Sequence, residues 1–430
     1  MSVFWLHLRN SPIRWGLPAL IALSLGVLFF RSRFWIGVWP ETGAAAQVGT
    51  YFLGAVGAGA AAWAAGAPGR HRVVEQIAAA RVHPVTTEAY RLAATVVVVL
   101  IPYLTGHAVA FAFTAPASPP GWHLWLGYFA LGLVAMLLAT AWGWMLGKVL
   151  GSVFAALGAV VGWLVLVVVA EDYLGLVLTA LRGPPERIVD PAAVTIRLVV
   201  VVALLATLPL LGMLGRLRQH AWRIAAPAVA ALGLLFTLAG TTVIVEREPI
   251  GDEALCVSGE RTQLCVWPEH EKYIPLLQEV NDRIDALPEV LVVPARMNES
   301  GVVRTRYVDS EGVIRPTPGD HPPVFHIIEG SPWSYTGAIQ SAILSATWDG
   351  CDWNAMSEAD RRRLHVLDAW LRAYLAGGGS PDYSSSAPAD VAEAWAEGRS
   401  LVDELPNAEQ FAWAEREVDE MLDHYCPSAD

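Results

Sequence analysis

Seven runs of about 20 apolar residues punctuate the first 245 positions of this chain, at 13–30, 44–66, 92–114, 124–146, 152–170, 194–214 and 224–245. A helix rises 1.5 Å per residue, so about 20 residues cross the roughly 30 Å of hydrocarbon in a bilayer. Such runs cannot be solvated in water, and in lipid only a helix or a closed barrel satisfies its own backbone. Over the full 430 residues, 54% are hydrophobic and only 16% charged, a balance outside that of an ordinary soluble domain. The expected fold class is a polytopic α-helical membrane protein with six to seven transmembrane helices. Pro102, Pro209 and Pro227 fall inside runs, which membrane helices tolerate. The fifth run has the least definite end, because 174–181 stays apolar beyond Glu171 and Asp172 and could form a short helix on the membrane surface.

Charge divides the chain in two. Residues 1–246 hold 15 Lys/Arg and 8 Asp/Glu, whereas 247–430 hold 14 and 33. The first part reads as a transmembrane domain and the second, acidic and globular in composition, as a separate α+β domain. An acidic domain without a basic groove has no means of holding phosphates, so nucleic acid is not an expected partner. Lys and Arg concentrate on the cytoplasmic side of short loops. With the amino terminus inside, ten of them fall inside (Arg9, Arg14, Arg70, Arg72, Arg81, Arg91, Lys148, Arg216, Arg218, Arg223) against five outside (Arg31, Arg33, Arg182, Arg187, Arg197). Seven crossings then place 247–430 outside the cytoplasm, in a multi-pass protein of the cell membrane. Arg9 and Arg14 before the first run resemble a signal peptide, yet no small-residue cleavage site follows Phe30, and the segment is expected to be retained.

All four cysteines, Cys256, Cys265, Cys351 and Cys426, lie in the acidic half. An even number of thiols in an extracytoplasmic domain suggests two disulfides, with three connectivities open. The short interval between Cys256 and Cys265 makes that pair the first expectation, leaving Cys351 with Cys426. Four buried free thiols are the alternative.

Between the second and third runs lies a polar insert, RHRVVEQIAAARV, at 70–82. Val73 or Val74, Ile77 and Ala80 share one helical face, with Arg72, Glu75, Gln76 and Arg81 elsewhere, so the pattern predicts a short amphipathic helix. Pro84 stops it at His83, and Thr86 or Thr87 can cap the helix that follows. This arrangement resembles the permease subunit of ABC-2 type transporters over roughly residues 1–215. The resemblance implies a coupling helix, here with Arg70, Arg72, Glu75, Gln76 and Arg81, that contacts a separate cytoplasmic ATPase subunit. It also implies helices on the outer surface between the fifth and sixth spans, at 171–193, and a second permease subunit as homodimer or heterodimer. ATP and Mg would then belong to the partner ATPase, with no cofactor in this chain. The seventh run and the acidic domain go beyond the family's simplest form. The bland alternative is an interfacial helix resting on lipid headgroups.

No phosphate-cradling G-x-x-x-x-G-K-[ST] loop occurs; GWMLGKV at 143–149 lacks the spacing and the hydroxyl. Gly143, Gly147 and Gly151 recur every four residues, the spacing of close helix packing in lipid. Gly54 with Ala58, and Gly57 with Ala61, make similar faces on the second run. Either set serves a homodimer or an internal contact. His107 is the one ionisable side chain deep in a run, and reads first as a hydrogen-bonded packing residue, second as a proton site.

In the acidic half, strands are expected in 289–293, 302–308 and 324–330, and helices at 273–287, 335–348, 358–376, 388–399 and 408–425. His270-Glu271 begins a zinc-peptidase string that fails because Ile274 stands where the second histidine belongs. His321 and His326 read as surface or turn residues, and Arg361, Arg362 and Arg363 as a solvated helix face. Three functions compete: an exporter subunit moving an amphipathic, lipid-like or peptide cargo, a membrane-anchored extracellular binding protein, and a degenerate peptidase-like domain on an anchor.

Overall fold

A computed structural model describes residues 3–30, 33–71, 83–150, 153–174, 177–210, 242–304, 306–308, 314–316, 321–352, 356–378 and 388–426. The chain divides into two compact units, Met1–Glu246 and Arg247–Asp430.

The amino-terminal unit is a helical bundle. Its described helices are α1 (Val3–Arg9), α2 (Leu17–Phe30), α3 (Trp39–Val48), α4 (Thr50–Arg70), α5 (Pro84–Thr114), α6 (Trp122–Leu150), α7 (Phe154–Leu174) and α8 (Pro191–Thr207). Four stretches are long and apolar enough to cross a membrane: Trp39–Pro68, which joins α3 to α4, Pro84–Ala117, Trp122–Leu150 and Pro191–Leu210. Leu17–Phe30 and Phe154–Val169 are shorter apolar helices. Residues 211–241, which carry most of the expected seventh span, lie outside the described residues. Its end is not helical: Ile244–Glu246 forms strand β2, antiparallel to β1 (Arg187–Val189). A β-branched Val-Ile-Val run suits a strand as well as a span, and apolarity alone does not separate the two.

The surface helix considered at 174–181, and the outer helices implied at 171–193, are corrected over the described residues. From Val177 to Glu186 the chain is irregular, with Leu178, Thr179 and Ala180 buried. Gln47 holds it there, donating to the Leu178 carbonyl (3.5 Å) and accepting from the Ala180 amide (3.3 Å). Arg197 Nη1 donates to the Val177 carbonyl at 2.6 Å. Side chains from the bundle thus supply the hydrogen bonds that a helix would have made internally.

Helix starts follow local chemistry. Asp190 accepts from the amides of Ala192 and Ala193 to cap α8, with Pro191 in its first turn. At α5 the cap is His83, which accepts from Val85, and Thr86 and Thr87 lie inside the helix.

The carboxyl-terminal unit is α+β. Its main sheet runs β3 (Leu255–Ser258), β4 (Gln263–Val266), β5 (Arg296–Glu299), β8 (Val324–Phe325) in spatial order, antiparallel for the first pair and parallel for the others. A second hairpin pairs β6 (Arg306–Val308) with β7 (Ile314–Pro316). Helices α9 (Ile274–Asp285), α10 (Pro332–Thr347), α11 (Glu358–Ala376), α12 (Ala389–Glu404) and α13 (Asn407–Tyr425) complete it. Leu264, Leu277, Ile284, Phe325, Ile343 and Trp370 are among its fully buried side chains. The helix expectations hold to within a few residues. Of the expected strands, 306–308 and 324–325 form, whereas 289–293 is turn and bend, with Leu291 buried and Val292 exposed. Both cysteine pairs are disulfides, Cys256 with Cys265 across the β3–β4 register and Cys351 with Cys426.

Candidate functional site

The carboxyl-terminal part of α4, the start of α5 and the end of α6 carry a cluster of largely buried charge. One turn into α5, Glu88 and Arg91 stand three residues apart, the spacing at which helical side chains meet. Arg91 Nη1 donates to Glu88 Oε1 at 2.7 Å, and Lys148, near the end of α6, pairs with Oε2 at 2.8 Å. Glu88 and Arg91 are each 8% exposed. A second Arg91 nitrogen donates to the Ala64 carbonyl of α4. The Arg91 and Lys148 cations lie 5.7 and 5.8 Å from the Trp144 ring, within cation–π range. On α1, burial first and then the Arg91 charge hold the His7 imidazole below its ordinary value. One carboxylate therefore links two cations from different helices, and the group spans four helices.

Arg70, the last residue of α4, lies 4.0 Å over the Trp63 ring and donates to the Trp63 carbonyl at 2.6 Å. Arg72, Glu75, Gln76 and Arg81 lie outside the described residues. Gly143 and Gly147 face α4 of the same chain: a Cβ on either would overlap the backbone of Ala58 or Ala62. Gly151 is outside the described residues. Gly54 opposes Trp163 and Gly57 opposes Val99. Sequence reasoning counted Arg91 and Lys148 only as inner-side charge and passed over Glu88. The signal was the opposite-charge pair at i, i+3 at the very start of an apolar run, where a single charge would be poorly compensated by solvent.

His107 is 1% exposed, and neither ring nitrogen has a hydrogen-bond partner among the described residues. The expectation of a hydrogen-bonded packing residue is corrected to one enclosed by aromatic rings, with Tyr103 at 4.6 Å, Phe129 at 5.2 Å and Trp125 at 5.8 Å.

In the carboxyl-terminal unit His270 is fully buried, its Nδ1 2.7 Å from Glu299 Oε1 on β5. Glu299 Oε2 accepts from the Trp267 amide at 3.0 Å. Next to it Glu269 pairs with Arg247 at 2.7 Å, so the WPEHEKY turn is held by two carboxylate contacts in its own unit. His326 is exposed and His321 partly so. The arginine run is not simply solvated: Arg362 pairs with Glu393 and Glu397 of α12, and Arg363 with Glu417 and Glu420 of α13. Among the described residues no three His, Cys, Asp or Glu side chains gather as a metal site.

Comparison with protein-family models, curated proteins and solved structures finds no match to this chain.

Proposed function

We propose that the chain is the permease subunit of an exporter of the ABC-2 type, driven by a separate ATPase subunit and carrying an extracytoplasmic acidic domain. The Glu88–Arg91–Lys148 cluster is the observation that supports the reading most. A push delivered to the 71–83 segment reaches α4 and α5 directly, and the cluster joins both to α6 through pairs that would be costly to separate in a low dielectric. An interfacial anchor has no need of such a connection. The two disulfides fit an oxidising compartment for the acidic unit, and the six apolar helices suit a lipid-embedded bundle. A mostly apolar path fits an amphipathic or lipid-like cargo better than a small ion.

The test is purification through this chain from native membranes. An ATPase subunit is expected to accompany it and to be lost from the double variant Arg72→Ala, Glu75→Ala at unchanged expression. A preparation that never contains a nucleotide-binding partner would overturn the transport reading in favour of a membrane-anchored binding protein. Impermeant thiol reagents on sealed cells should label a cysteine introduced in the acidic unit and spare one introduced at Gln76.

A further inference from the structure

Helices α10 and α11 lie side by side, and with the turn after α10 they border an open groove of about 420 Å³. That size falls in the range of roughly 300 to 1,000 Å³ typical of small-molecule sites. Its walls are of two kinds. Leu344, Leu364 and Trp348 supply apolar surface, while Gln340, Asp368 and the rim residue Asp349 supply polar groups.

Asp368 is the anomaly. Two arginines of α11 are matched, Arg362 and Arg363 each by two glutamates of the following helices. Asp368, half-buried, pairs with no cation among the described residues; its Oδ1 accepts from Gln340 Nε2 at 2.5 Å. Gln340 is itself 2% exposed, so the amide is held by packing and fixes the carboxylate in place. Arg372, one turn along, is committed to the Trp333 carbonyl at 2.8 Å. Burial pushes the Asp368 carboxyl above its usual range, against the Gln340 hydrogen bond and the charges of Arg372 and His365. A carboxylate drawn partly out of water, with positive charge nearby but no cation bonded to it, is costly to the fold. Next to an apolar wall it is prepared for a cation that brings its own apolar body.

The groove is also fixed in shape. Cys351 closes the turn with a hydrogen bond to the Trp348 carbonyl at 3.2 Å and is tied by its disulfide to Cys426 at the end of α13. Asp352 donates to the Tyr425 carbonyl at 2.8 Å beside it. A preformed pocket avoids ordering costs on binding.

We infer that this groove binds an organic ammonium with a compact apolar body, its charge on Asp368 and its body against Leu344, Leu364 and Trp348. The inference stands whether the helical unit transports or only anchors.

Titration of the full-length protein in detergent with benzylamine and with the neutral isostere benzyl alcohol tests it, read by calorimetry and ligand-observed NMR. Benzylamine is expected to bind saturably at one site per chain and more tightly than the alcohol. Asp368→Asn keeps an acceptor for Gln340 and removes the charge, and should weaken the amine by about tenfold or more with the alcohol unchanged. Ser345→Trp, at an exposed position on the groove wall, should block both ligands without touching the core. A folding control comes from the sign of the carboxyl shift. With its folded pKa raised, Asp368 destabilises as pH climbs from the unfolded to the folded value, so Asp368→Asn should melt at or above wild type at neutral pH, a gap that closes in acid. Equal affinity for amine and alcohol, undiminished amine binding by Asp368→Asn, or no saturable amine binding would each overturn the inference.

Discussion

Two charge networks, one in each unit, solve the same problem under different dielectrics. In the amino-terminal bundle Glu88, Arg91 and Lys148 are packed among apolar helices, with Trp144 against both cations. In the carboxyl-terminal unit Arg363 bonds Glu417 at 2.7 Å and Glu420 at 2.6 Å from a partly exposed position, and its guanidinium is held more firmly protonated than usual by the Glu417 bond above all. Both join helices distant in sequence. They differ in what happens when one partner is removed: water reaches the second network and does not readily reach the first.

The largest expected effect therefore belongs to Glu88→Ala, which leaves the buried Arg91 and the partly buried Lys148 uncompensated and should cost about 3–5 kcal/mol. Thermal unfolding in detergent measures it. A loss below about 1 kcal/mol, the value of a surface pair, would break the contrast. Gly143→Val should come next, at about 1–3 kcal/mol or more, because the new side chain meets the Ala58 backbone and α4 cannot retreat without losing its contacts with α7. Disulfide trapping between cysteines introduced at exposed positions on α4 and α6 would report the separation. The smallest effect is Arg363→Ala, about 1 kcal/mol or less and shrinking with added salt, since its partners remain solvated. If high salt weakens the Glu88 cluster as much as the Arg363 network, the two are not in different dielectrics.

Much of the second unit's helical content was legible. Ser357 caps Asp360 and Gly377 ends α11 at φ 80°, the chemistry that marks a helix's start and stop in any context. Strands β3, β4 and β5 were passed over because they are four residues each and carry polar residues such as Gln263 and Asn298, too short for an alternating pattern to register. Their place comes from neighbours, as with Asn298, buried between β4 and β8. The candidate site was less legible still. Its three charges are scattered over 61 positions, from Glu88 to Lys148, and only the packing of α5 against α6 brings them within bonding distance.

By itself the sequence determined that the first part of the chain forms long apolar helices, that these carry few charges, and that four thiols collect in one acidic domain. These follow from composition and from periods of a few residues, which act locally. Tertiary structure decided which small face meets which, so that Gly143 and Gly147 lie on Ala58 and Ala62 of their own chain. It decided that 244–246 is a strand, that 177–186 is a buried coil, and that Arg363 reaches across to α13. The reason is physical: a glycine stripe, a β-branched run and a lone charge are each compatible with several neighbours, and the lowest free energy is set by the partner that excludes water, a quantity no single segment contains.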